Sequence, residues 1–268
     1  MTIQEYKVDF HESCSPHFSN DEIQSFWQWF KENLLIITDS TKAKTEYKKW
    51  LTDLISGKPI QYIFGYSFFH KYCFQVTSDT LIPRPETEEL CELILKANDN
   101  SSLTGIDIGT GTGCIPITLL SERSSWKFNA VDISEGALEI ANINSNKYHL
   151  SDRLYLINQN FLENSHIANN YDIIVSNPPY IHPKERDIME SRVTQFEPHI
   201  ALFVNQDILE FYTALFHFFE FNTNPNAQLW METHQDHCND VLELFNTKFR
   251  AKKIEDLSKN PRFVYVVK

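Results

Sequence analysis

Ser176-Asn177-Pro178-Pro179-Tyr180 ends the apolar run Tyr171-Asp172-Ile173-Ile174-Val175. The β-branched run reads as a buried strand, and two prolines stop it because neither can donate to a sheet ladder. Each proline fixes its own φ, and Pro178 also restricts Asn177 to extended geometry. The loop is therefore stiff. It presents one carboxamide and one aromatic ring at the carboxyl end of a strand, where open α/β sheets bind ligands. That is the pattern of a rigid site for reading an amide; a tight turn held by its prolines is the plainer alternative.

A second constellation is Ile106-Asp107-Ile108-Gly109-Thr110-Gly111-Thr112-Gly113, a strand that runs through a glycine turn into a helix. The chain has only 7 glycines, so four at Gly105, Gly109, Gly111 and Gly113 form a real cluster. Glycines let backbone approach a ligand, and the next helix offers free N–H groups. The spacing is not the G-x-G-x-x-G of dinucleotide sites, which speaks against NAD. About twenty residues on, Ala130-Val131-Asp132 ends a second strand, where a carboxylate can accept both hydroxyls of a ribose. The competing role for Asp132 is to cap the helix starting at Ser134. The order strand, glycine turn, helix, strand, acid favours the nucleoside. A third strand leads to Asn160 and Phe161, which suit an adenine edge and face, although Phe161 also reads as core.

The elements that must position these residues alternate from Leu103 onward, as a parallel sheet with crossover helices requires. Strands are expected at 103–108, 127–132, 153–158, 171–176, 227–233, 252–256 and 262–267. Helices are expected near 113–123, 134–147, 205–221 and 235–249, with Asn222 to Asn226 as a polar turn. Upstream, Ser19-Asn20-Asp21-Glu22 has capping-box spacing ahead of the helical stripe Ile23, Phe26, Trp27, Phe30, Leu34. A further helix over 45–56 ends near Gly57. Tyr66 to Val76 alternates about His70-Lys71 as a hairpin. Leu81 to Glu88 then leads into a helix with Pro85 at its start. Arg84 there faces three choices: a ligand carboxylate, Glu86 or Glu88. This gives a helical domain at 1–64, a β-hairpin linker at 65–82 and an α/β domain at 83–268.

A chain of 268 residues with 42% hydrophobic content can build that core. A net charge of −12 opposes phosphate-backbone binding, and the lysines at 42, 44, 48 and 49 read as a solvated helix face. Five cysteines, none in C-x-x-C spacing, indicate reduced thiols and a cytoplasmic protein. No stretch approaches the ~20 apolar residues of a membrane span. Glu232, His234, His237 and Cys238 lack a matched ligand pair, so no metal is expected.

Together, Asp107-x-Gly109-x-Gly111-x-Gly113, Asp132 and Asn177-Pro178-Pro179-Tyr180 resemble the class I S-adenosylmethionine-dependent methyltransferases. Further segments resemble the protein-(glutamine-N5) methyltransferases of peptide-chain release factors. These are residues 57–65, Leu81-Ile82-Pro83-Arg84-Pro85-Glu86-Thr87-Glu88, Phe196-Glu197-Pro198 and Arg262-Phe263-Val264. The likeness spans residue 57 to the carboxyl end. Asn160 departs from it, standing where the family commonly has an acid. It implies a Rossmann-like seven-stranded domain. It also implies methyl transfer from S-adenosylmethionine to the glutamine of a Gly-Gly-Gln motif in the release factor, with the helical domain gripping the substrate.

By position, Gly109, Thr110, Gly111, Thr112 and Gly113 would hold the methionine part, Asp132 the ribose, and Asn160 and Phe161 the adenine. Asn177, Pro178, Pro179 and Tyr180 would hold the glutamine. Asn177 Oδ1 and the Pro178 carbonyl would accept its N–H groups, and Tyr180 would wall the amide plane. A monomer acting on a protein, with no nucleic acid partner, is expected. The rivals are a methyltransferase for adenine N6 or guanine N2, and an inactive cofactor-binding scaffold.

Overall fold

The computed structural model describes residues 1–98, 101–163, 167 and 170–268. It forms two units: Met1–Tyr66 with Glu190–Phe196, and Ser67–Met189 with Glu197–Lys268. The smaller unit is helical. Helices α1 (Ile3–Cys14) and α2 (Asn20–Leu35) each begin with a capping box, on Thr2 with Glu5 and on Ser19 with Glu22. Helix α3 (Ser40–Ile55) starts a turn earlier than its apolar pattern suggests, because the Asp39 carboxylate accepts the N–H groups of Thr41 and Lys42. Helix α4 (Ile60–Phe64) ends on Gly65, whose φ of 78° closes it in the left-handed region. Phe10, Ile23, Trp27, Phe30 and Tyr47 pack together as its aromatic core.

Strands β1 (Tyr66–Phe69) and β2 (Tyr72–Gln75) form the expected hairpin. The larger unit continues with α5 (Pro85–Ala97), β3 (Thr104–Ile108), α6 (Cys114–Glu122), β4 (Lys127–Asp132), α7 (Glu135–Lys147), β5 (Leu154–Asn158) and β6 (Tyr171–Ser176). A 3-10 turn (Pro183–Ile188), α8 (Ser191–Phe196) and α9 (His199–Leu202) follow, with α8 counted in the smaller unit. The chain ends with α10 (Glu210–Phe221), β7 (Thr223–Glu232), α11 (Cys238–Asn246), β8 (Arg250–Glu255) and β9 (Pro261–Val267).

Seven strands form one sheet in the order β5-β4-β3-β6-β7-β9-β8, the number the sequence implies. The five strands β3 to β7 pair in parallel, and β9 runs antiparallel between β7 and β8. Both faces of the sheet are covered, which explains its near-continuous apolar runs. Ile173 and Val175 pack on one side with Leu90 and Ile94 of α5 and Leu119 of α6. Ile174 packs on the other with Leu215 and Phe218 of α10 and Val241 of α11.

The polar stretch Asn222–Asn226 departs from expectation: Asn222 caps α10, and Thr223 to Asn226 are the start of β7, not a turn outside it. Asn224 donates to Asp172 Oδ1 at 2.7 Å and Tyr171 N–H to Asn222 O at 2.9 Å. Asn226, with φ 65°, absorbs a register shift against β6.

Candidate active site

Winding proceeds from β3 to β4 and β5 on one side, then returns to β6 and β7 on the other, so β3 and β6 flank the switch point. Ligands bind beyond the carboxyl ends of strands at such a crevice. Here those ends carry the glycine turn and the Asn177 loop. Ser176, fully buried, donates to Ile108 O at 2.7 Å and ties the two ends together.

Gly109, Gly111 and Gly113 have φ of 79°, 54° and 76°, a region that L side chains rarely occupy. The turn folds back on β4, where Val131 O accepts the N–H groups of Gly109 (2.9 Å) and Thr110 (3.0 Å). Asp132 joins the same turn: Oδ2 accepts Gly111 N–H at 2.8 Å and Oδ1 accepts Ser134 N–H at 3.0 Å. Ser134, not Asp132, caps α7. Burial raises the Asp132 carboxyl above its usual range, and the backbone donors of Ser134 and Gly111 oppose that.

Asp107 lies at the end of β3, fully buried, and burial pushes its carboxyl up to about 7, aided by the charge of Asp132 and tempered by the Thr110 hydroxyl. Neither Asp107 oxygen makes a well-formed hydrogen bond among the described residues, and the same holds for the hydroxyls of Thr110 and Thr112. Three unsatisfied polar groups around one turn are costly unless something fills them. From the hairpin side, Asn144 pairs with both backbone groups of Gln75 and donates to Thr112 O at 3.0 Å.

At the Asn177 loop, the carboxamide NH2 donates to Thr87 Oγ1 at 3.0 Å. Thr87 donates to Glu232 Oε2 at 2.7 Å, and Tyr180 donates to Glu232 Oε1 at 3.1 Å. Tyr212 holds the Glu232 carbonyl at 3.0 Å. Burial raises the carboxyl of Glu232, while Thr87, Tyr180 and Arg262 counter the rise. Burial likewise pushes the Tyr180 phenol well above its ordinary range, and the neighbouring charge of Glu232 adds to the rise. Sequence reading missed Thr87 and Glu232 as partners of the loop. Arg84 takes neither Glu86 nor Glu88, the two acids foreseen close in sequence. It pairs with buried Glu197 at 2.5 Å, and Glu197 also accepts Ile82 N–H at 3.2 Å.

Gly109, Thr110, Gly111, Thr112, Asp132, Asn160, Phe161, Asn177 and Pro179 share the wall of a cavity of about 330 Å³. Of the residues singled out from sequence, Gly113, Pro178 and Tyr180 are not on that wall. Gly113 underlies the turn against Ile117 and Ala141, and Pro178 is buried. Asn160 Oδ1 accepts Leu162 N–H at 3.2 Å, so its acceptor is partly used. Phe161 packs on Phe211 and Phe218 while still facing the cavity.

The methyltransferase small domain family model matches residues 87–199. The release factor glutamine methyltransferase of Flavobacterium psychrophilum is 35% identical over 99% of this chain and 99% of its own. The chain belongs to the release factor glutamine methyltransferase family. The Enterococcus faecalis relative of that name is 34% identical over 87% of this chain and 86% of its own. A methyltransferase from Pyrococcus furiosus shares the fold, with 16% identity, a TM-score of 0.53, and 72% of this chain and 87% of that one covered. As a family member the chain is a methyltransferase, and its domain is of the class that uses S-adenosylmethionine. Among the described residues, no helix is long and apolar enough to cross a membrane.

Proposed function

We propose that this enzyme transfers a methyl group from S-adenosylmethionine to the side-chain amide nitrogen of the glutamine in the release factor Gly-Gly-Gln motif. One observation carries the reading. The Asn177 carboxamide lines the same cavity as the glycine turn and Asp132, with its NH2 end committed to Thr87. Its Oδ1 is thereby left to accept an N–H from a second carboxamide.

The cofactor fits the residues present. Thr110 and Thr112 line the cavity with buried hydroxyls short of partners, a deficit that a ligand with both charges on its methionine end can fill. Asp132 keeps lone pairs on both oxygens beyond the backbone bonds it makes, enough for a ribose diol. Ile133, Phe161 and Leu162 offer apolar surface for a base. The cofactor supplies a methyl group on a sulfonium.

The chain's own task is orientation. A glutamine amide nitrogen is a weak nucleophile because its lone pair is shared with the carbonyl. Asn177 Oδ1, on the cavity wall, would take one N–H and leave the nitrogen's face toward the methyl. The Pro178 carbonyl, expected as a second acceptor, belongs to a residue buried behind that wall. Rigid acceptors also stabilise the positive charge that develops on nitrogen as the bond forms. The prolines matter because a loop fixed in advance needs no ordering when substrate arrives. The helical unit would help hold the protein substrate outside the cavity.

The rival substrate is an exocyclic amine on a nucleic acid base, which presents a similar planar NH2. A net charge of −12 counts against it. Labelled S-adenosylmethionine offered with release factor, duplex DNA or RNA distinguishes them. The expected result is label in the release factor alone, abolished by Asn177→Ala. Label in nucleic acid, or full activity of the variant, would refute the assignment.

A further inference from the structure

A carboxamide is nearly symmetrical in shape, yet its two ends do opposite things. Turned by 180°, Asn177 would offer NH2 to a substrate NH2 and the two donors would repel. Nothing in Asn177-Pro178-Pro179-Tyr180 itself decides between the two orientations. Prolines fix backbone, and the side-chain amide turns about its own bond.

The decision is made by residues distant in sequence. Thr87 has a single hydroxyl proton, and Glu232 Oε2 takes it at 2.7 Å. In its ionised form, which the Thr87 and Tyr180 hydrogen bonds and the Arg262 charge favour against burial, Glu232 can only accept, so the Thr87 oxygen accepts in turn, from Asn177 Nδ2 at 3.0 Å. The other oxygen of Glu232 receives the Tyr180 phenol at 3.1 Å, from the same loop as Asn177. Thr87 and Glu232 are 3% and 1% exposed, so water does not offer them substitute partners. Thr87 is itself held in the first turn of α5, its N–H on Arg84 O at 3.1 Å, just past Pro85.

We propose that Thr87 is a positioning residue for methyl transfer: its hydroxyl, with the proton given to Glu232, fixes the Asn177 carboxamide with Oδ1 toward the substrate amide. The inference rests on the glutamine reading above and names what makes that site directional. Thr87 acts through Asn177 and handles no reacting atom. Valine has nearly the shape of threonine and lacks the hydroxyl, whereas serine keeps the hydroxyl and lacks the methyl. They separate the hydrogen bond from the packing.

The test is single-turnover methylation of release factor by wild type, Thr87→Val, Thr87→Ser and Asn177→Ala, with cofactor affinity measured by calorimetry and folding by thermal melting. Thr87→Val is expected to lower the transfer rate on the order of a hundredfold, the scale of a misoriented reacting group. Its cofactor affinity should stay near that of wild type. Thr87→Ser should recover most of the lost rate. If Thr87→Val melts early and binds no cofactor, Thr87→Ser against Thr87→Ala carries the comparison, with Ser active and Ala slow. Thr87→Val as fast as wild type overturns the proposal, as does Ser no faster than Ala. Should Asn177→Ala itself transfer at the wild-type rate, the glutamine reading fails instead.

Discussion

Asp107 shows how one residue links the site to stability. In the unfolded chain its carboxyl titrates near 3.8; in the folded one burial raises it to about 7. Between those values the folded state holds a proton that the unfolded state releases. Its contribution is therefore most favourable below pH 4 and is lost as pH rises toward 7, then stays level. Asp132 and Glu232, also raised, act in the same sense. Asp107→Asn should flatten the fall in cofactor-free stability between about pH 4 and 7, measured by denaturant unfolding, and should weaken cofactor binding. An unaltered slope would mean that this carboxyl is not the group responsible. The glycines, Asp132 and Asn177 were legible because each lies inside a short local pattern. Thr87, Glu232 and Glu197 were not. Thr87 looks like part of an acidic first turn, and its partner is 145 positions away. Arg84 had two acids close in sequence, and only folding brings Glu197 to it.

At the scale of elements, the parallel half of the sheet could be drawn from sequence almost to the residue, since β-branched runs buried on both faces leave little choice. Strands β4 and β6 match their expected ranges of 127–132 and 171–176. Prediction was weaker where polar side chains pair with backbone or with each other, as at the start of β7. It was also weaker between 183 and 202, where Pro183 and Pro198 begin short helical turns. Gly105 tests the packing between β3 and β4. A methyl there would meet the Phe128 ring at 2.2 Å, and that ring is fully buried beside Trp126. Gly105→Ala gains strand propensity, yet the clash should win by about 1–3 kcal/mol of lost stability in denaturant unfolding. Stability equal to wild type would show that the ring can yield.

Across the whole molecule, every residue on the cavity wall belongs to the larger unit, while the helical unit has its own aromatic core. The helical apolar stripe upstream and the strand–helix alternation downstream announced two such cores, and they left open what the helical unit contacts, because exposed faces carry no periodic signal. The glycine-turn cavity and the Asn177 loop both sit at the switch point of one sheet, and the proposed function would place transfer and recognition side by side there. The most direct measurement is mass spectrometry of release factor after incubation with S-adenosylmethionine and either wild-type enzyme or Asn177→Ala. The account predicts one added methyl, on the side-chain amide of the Gly-Gly-Gln glutamine, with wild type and none with the variant. A methyl on another residue, or the same product from Asn177→Ala, would contradict it.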